Sequence, residues 1–181
     1  MNDLRNKGKI FEEDFIKSVP KHCYLHRIKD TSQSYQKSEN TKFTRNNPCD
    51  FFMFDTINRL FYAIECKSTK SKSMNYQINK DDDSSKMIKY HQIESLKKIS
   101  NFNGTVAGLL LNFRNDDTNL QRTYFIHIND FENMRRKLDK KSFNEMDLIL
   151  NKAIKIQGNK KRTRYSWNIE KFLNSNNETV L

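Results

Sequence analysis

Apolar positions recur at helical spacing in the opening stretch. Ile10, Phe11, Phe15 and Val19 alternate with Glu12, Glu13 and Asp14 and are followed by Pro20, so a helix is expected over Leu4 to Val19. From Lys29 to Pro48 the chain is almost wholly polar and reads as a long loop or arm. Two apolar runs follow, Phe51-Phe52-Met53-Phe54 and Leu60-Phe61-Tyr62-Ala63-Ile64, joined by the turn-like Asp55 to Arg59, the pattern of a hairpin of buried strands. Ser68 to Ser85 is polar again and reads as a flexible loop, after which Met87, Ile88, Ile93, Leu96 and Ile99 predict a helix from about Ser85 to Ser100. Thr105 to Leu111 and Tyr124 to Ile128 are expected to be strands, and Asp130 to Leu138 and Ser142 to Ile156 to be helices. A basic segment, Lys160 to Arg164, precedes Tyr165 and Trp167. This order defines an α/β chain, and 181 residues suit one domain spanning 1–181, with a polar arm at about 29–47.

Charge changes the picture more than length does. Thirty-three basic against 22 acidic side chains give +11 at neutral pH, a field that favours a polyanion, with nucleic acid first among the candidates. No apolar run approaches membrane-spanning length and no basic start leads into an apolar segment, so no membrane partner is expected and the setting reads as cytoplasmic. Three cysteines, Cys23, Cys49 and Cys66, are odd in number and lack a CxxC pair, which argues against a disulfide framework. His22, Cys23, His26 and Cys49 lack a second tight pair, so they read as buried or incidental side chains rather than zinc ligands. Neither a glycine-rich phosphate loop nor an HExxH motif is present, and no nucleotide cofactor is expected.

Candidate chemistry gathers at the hairpin. Asp50 opens its first strand, Glu65 closes the second, and Lys67 shares a face with Glu65 while Cys66 points the other way. A hairpin brings its first and last residues level, so two carboxylates converge where a hard cation would take oxygen ligands, with an ammonium beside them. That combination suits phosphodiester hydrolysis: the metal activates water and the lysine stabilises charge on the phosphorane. Acids at the rim of a strand pair are often merely solvated. Here they bracket the most apolar stretch of the chain, where ionised groups are costly unless paired or metal-bound.

The series Pro48-Cys49-Asp50, fourteen residues, then Glu65-Cys66-Lys67 resembles the PD-(D/E)XK nuclease superfamily. More narrowly, the chain resembles RecU-type Holliday junction resolvases. The similar pieces are Asn6-Lys7-Gly8-Lys9-Ile10-Phe11-Glu12-Glu13, the Glu65-Cys66-Lys67 core, Ser68 to Ser73, and Tyr90-His91-Gln92-Ile93 opening a helix that leads to Gly104 and an apolar strand, roughly residues 5 to 128 in all. Pro48-Cys49 stands where that family carries a Thr-Thr pair. The resemblance implies a restriction-endonuclease-like mixed central sheet flanked by helices and magnesium dependence with manganese able to substitute. It further implies a homodimer and paired symmetric nicks across a four-way junction. It implies metal ligation by Asp50, Glu65 and the Cys66 backbone carbonyl, and a catalytic set of Asp50, Glu65, Lys67, Glu12 and Gln92. His91 reads as structural rather than as a base. Lys42, Arg45, Lys70, Lys72, Lys160, Lys161, Arg162 and Arg164 are expected to track DNA phosphates. Two alternatives stand beside this reading: a restriction- or repair-type endonuclease on duplex DNA with the same site, and a non-catalytic basic DNA-binding protein.

Overall fold

The computed structural model describes residues 7–28, 47–82 and 84–180. Elements follow in the order α1 (Lys7–Ser18), β1 (Cys23–Arg27), β2 (Phe51–Asp55), β3 (Leu60–Thr69), β4 (Ser73–Asn75), α2 (Tyr90–Ser100), β5 (Thr105–Asn115), β6 (Leu120–His127), α3 (Ile128–Lys137), β7 (Ser142–Asn144), α4 (Glu145–Leu150), β8 (Ile154–Ile156), β9 (Gly158–Lys160), β10 (Tyr165–Trp167) and α5 (Ile169–Val180). Six strands form one sheet in the order β1-β2-β3-β5-β6-β8. Only the β3–β5 pair is parallel, so the sheet is mixed. A parallel pair needs a crossover, and α2 lies within it.

Alternation along the strands divides the core in two. Ala63, Ala107, Leu109 and Leu111 face Ile93 and Leu96 of α2 and Phe131 and Met134 of α3. Phe51, Met53, Tyr62, Ile64, Val106 and Leu110 face Phe11 and Phe15 of α1 and Ile169, Phe172 and Leu173 of α5. Helices therefore cover both faces, and the fold is the mixed central sheet flanked by helices that the family resemblance implies. No helix among the described residues is long and apolar enough to cross a membrane.

Four expectations change. The loop expected over Ser68 to Ser85 is largely built: β3 runs on to Thr69, β4 pairs with β7, and Met74 and Tyr76 are fully buried, with the Tyr76 hydroxyl donating to Lys140 O at 2.7 Å. The helix expected from Ser85 starts at Tyr90, because Ile88 bridges to Tyr76 as extended chain. The helix expected over Ser142 to Ile156 is instead β7, the short α4 and β8. Asn144 caps α4 at one end and Lys152, at φ 65°, breaks the chain at the other. The basic segment after Ile156 becomes the β9–β10 hairpin, with Tyr165 stacked on Trp167 against the α1 layer, followed by an unforeseen α5. The arm at 29–46 lies outside the described residues.

Candidate nuclease site

Asp50 precedes β2 and Glu65 lies in β3, one step beyond the last paired residues Phe51 and Ile64. The register is held by Asp50 N donating to Ile64 O at 3.2 Å, and the Cys66 N–H donates to Asp50 Oδ2 at 2.8 Å. In an extended strand the N–H and C=O of one residue point to the same side. The Cys66 carbonyl therefore faces the Asp50 side. Glu65 is 1% exposed, and its side chain contacts the Asp50 carboxyl. Its Oε1 accepts from Lys67 Nζ at 2.7 Å and from Gln92 Nε2 at 2.5 Å. Gln92 is itself fixed, since its Oε1 accepts from the Lys89 N–H at 2.9 Å at the start of α2. Two strands and a helix end thus converge on one carboxylate.

The electrostatics follow from that geometry. Burial pushes the Glu65 carboxyl up to about 7, against the pull of Lys67 and with the push of Asp50. Two touching carboxylates in a dry environment demand a proton or a cation, and Lys67 supplies only one positive charge. The donor set is all oxygen: two carboxylates and an outward carbonyl, which suits a hard divalent cation such as magnesium or manganese. The residues present therefore fit the metal that the motif implies. Cys49 beside this pair is a packed thiol donating to Phe51 O at 3.3 Å, and burial pushes it up to about 12.

Glu12 takes another position. Its Oε2 accepts from Arg27 Nε at 3.0 Å and Nη2 at 2.8 Å, on the α1 side of the sheet, whereas Glu65 and Lys67 face α2. Its charge reaches the Cys66 thiol, which burial raises well above its ordinary range with Asp50, Glu12 and Glu65 adding to the effect. His91, next to Gln92, is exposed at the ring edge of the site. Burial of part of its ring lowers its pKa, and so does the charge of Lys67 and Lys89.

The basic residues sort into two clefts around the β5–β6 turn. One, about 680 Å³, is lined by Lys70, Lys72, Arg114, Arg122 and Glu145. The other, about 320 Å³, is lined by Lys7, Arg114, Lys160, Lys161, Arg162 and Arg164. Neither is lined by Asp50, Glu65 or Lys67. Arg114 belongs to both and escapes sequence reasoning, because only the fold brings it over Ser68 Oγ, to which its Nε donates at 2.9 Å. Arg114 also pairs with Asp116 at 2.9 Å, and Arg164 is engaged more heavily, with Asp14 at 2.5 Å and Glu13 at 2.8 Å, holding the β9–β10 hairpin to α1. Lys42 and Arg45 lie outside the described residues.

This is an α/β fold in which two carboxylates and a lysine gather on adjoining inner strands of the sheet. No family model matches the chain. Among curated proteins it is similar to the SPbeta prophage-derived uncharacterized protein YotM of Bacillus subtilis (strain 168). The two are 28% identical over 179 residues, covering 92% of this chain and 85% of that one. Among solved structures it is similar to Archaeoglobus fulgidus Hjc, a Holliday junction resolvase from an archaeal hyperthermophile. That match has a TM-score of 0.49 and 14% identity over 81% of this chain and 93% of the other.

Proposed function

We propose that this chain is a divalent-metal-dependent endodeoxyribonuclease of the PD-(D/E)XK type that cuts four-way DNA junctions by paired symmetric nicks. The observation that carries the reading is the buried Glu65 carboxylate in contact with Asp50 and bridged by Lys67 and Gln92. Bound magnesium would supply an activated water and neutralise phosphate oxygens. Asp50, Glu65 and the Cys66 carbonyl would hold it. Lys67, tied to Glu65, stands where its ammonium can orient the attacking water and stabilise charge on the phosphorane. Gln92 fixes the Glu65 rotamer through its own bond to the α2 start and borders the scissile phosphate. Glu12 acts from the far face through Arg27 and the Cys66 strand rather than as a direct ligand.

Substrate class rests on charge and on the ordered motifs. Lys70, Lys72, Lys160, Lys161 and Arg162, together with the newly placed Arg114, give phosphate contacts on both sides of the β5–β6 turn. Junction preference and the homodimer follow from the RecU-like set of motifs, since symmetric nicks need two sites. A reducing cytoplasm accords with the free thiols Cys23, Cys49 and Cys66. The test is magnesium-dependent cutting of a synthetic four-way junction and a linear duplex of matched sequence at equal concentration. Preferential, symmetric nicking of the junction is expected. Equal cutting of both substrates would replace the junction reading by a duplex nuclease with the same chemistry.

A further inference from the structure

A second cluster of metal-ligating side chains sits at the other end of β2, five extended residues and roughly 16 Å from Asp50. His22, Cys23 and Asp55 place one ligand atom each within 4.8 Å of the others. We infer that these three residues form a zinc site that staples the start of β1 to the β2–β3 turn. The inference is independent of the nuclease reading, because Cys23 and Asp55 lie on the α5 side of the sheet and Glu65 and Lys67 on the α2 side.

The backbone builds the site before any ion arrives. Cys23 and Asp55 are direct cross-strand partners, which turns their side chains to one face. His22 is locked beside them, because Thr56 donates to His22 O through both its N–H, at 3.4 Å, and its hydroxyl, at 2.7 Å. Asp55 is aimed by the turn: Oδ1 accepts from the N–H groups of Ile57 and Asn58, at 3.0 and 3.2 Å, and Oδ2 accepts from Asn58 Nδ2 at 2.7 Å. Such outer bonds orient the carboxylate, and Oδ2, with a single donor, keeps a lone pair for a metal. His22 Nε2 stands 3.7 Å from Asp55 Oδ1. That is too long for a hydrogen bond, while two ligands of one tetrahedral zinc ion are separated by roughly 3.3 Å, so this pair needs to close by only a few tenths of an ångström, and the Cys23 thiol lies within 4.8 Å of both.

Charge points the same way. Asp55 is 0% exposed and, among the described residues, its ion-pair partner is His22 and not a lysine or arginine. A thiolate and a carboxylate neutralise a dication and leave the imidazole neutral, so the loaded site carries no net charge into the protein. Sulfur and nitrogen donors select zinc over magnesium. The fourth position is open to water or to Glu170 on the first turn of α5. His26 is exposed on the opposite face of β1, and Cys49 lies at the Asp50 end of the hairpin, so neither takes part.

The test is zinc titration by calorimetry of the chelator-treated full chain in excess magnesium, which fills oxygen-donor sites without taking a thiolate. Cobalt absorption is recorded in parallel. One zinc per chain, proton release on binding and a thiolate-to-cobalt charge-transfer band are expected. Cys23→Ser should abolish the band and weaken zinc binding by roughly a hundredfold, and His26→Ala should leave both unchanged. Equal melting temperatures of the metal-free wild type and Cys23→Ser show that the variant folds, and zinc should raise only the wild-type value. No stoichiometric zinc on the wild type, or an undiminished band in Cys23→Ser, would overturn the site.

Discussion

Asp55 and Glu65 occupy opposite ends of the β2–β3 hairpin and are both withdrawn from water, at 0% and 1% exposure. Their neighbours differ in kind. Asp55 is satisfied by the turn it caps, through N–H groups of Ile57 and Asn58 whose positions the backbone dictates. Glu65 is held by side chains only, Lys67 from its own strand and Gln92 from α2, and it shares its space with a second carboxylate. The first arrangement stabilises a fold, whereas the second leaves a carboxyl poised near neutrality and dependent on a cation. An acid that costs stability at one end of a hairpin, while another secures the turn at the other, is the stronger candidate for the chemistry.

Removing the cation beside Glu65 should have the largest effect. Lys67→Met is expected to lower the single-turnover cleavage rate by roughly a hundred- to a thousandfold while DNA affinity stays within a few fold, measured on labelled junction with magnesium in excess. A rate unchanged in Lys67→Met would remove the lysine from the chemistry.

Stability against pH separates the two acids next. The Glu65 carboxyl is raised in the folded chain, so its favourable contribution is complete below about 4.5 and is lost as pH rises through about 7. Glu65→Gln does not titrate. In chelator, its stability relative to wild type should therefore climb between pH 4.5 and 8 by an amount on the order of 3 kcal/mol, read from urea unfolding at several pH values. Asp55→Asn should instead destabilise by about 1–3 kcal/mol, because it weakens the acceptor of three turn donors. Were Glu65→Gln to track wild type at every pH, the poised carboxyl would be disproved. Magnesium should erase most of the Glu65 difference by replacing the proton.

The clefts give the smallest effect per residue. Neutralising Lys160, Lys161 or Arg162 singly should reduce the slope of log affinity against log salt by about 1 each and leave the rate at saturating DNA unchanged. Arg164→Ala should lower stability instead, since that guanidinium is engaged by Asp14 and Glu13. A salt slope that no cleft variant alters would move the DNA path elsewhere.

The hairpin was legible because continuous apolar runs flanked by single acids leave few readings; strand alternation puts Glu65 and Lys67 on one face, and the β2–β3 register brings Asp50 level with them. Gln92 was placed by family resemblance, and its bond to Glu65 depends on where the crossover helix lands. β1 escaped notice because Cys-Tyr-Leu-His-Arg is a half-exposed strand at the sheet edge with weak alternation. The span Ser142 to Ile156 reads as helix by spacing, yet an Asn cap and a left-handed Lys152 cut it into three pieces. Arg114, and the meeting of His22 with Asp55, depend on register between distant segments, which no local pattern records.

The most direct test of the central claim is to compare wild type and Asp50→Asn for junction cleavage in magnesium, with binding measured in calcium. The account predicts paired nicks by wild type, their loss in Asp50→Asn, and comparable binding by both. Tight binding with no metal-dependent cutting by wild type, or undiminished cutting by Asp50→Asn, would contradict it.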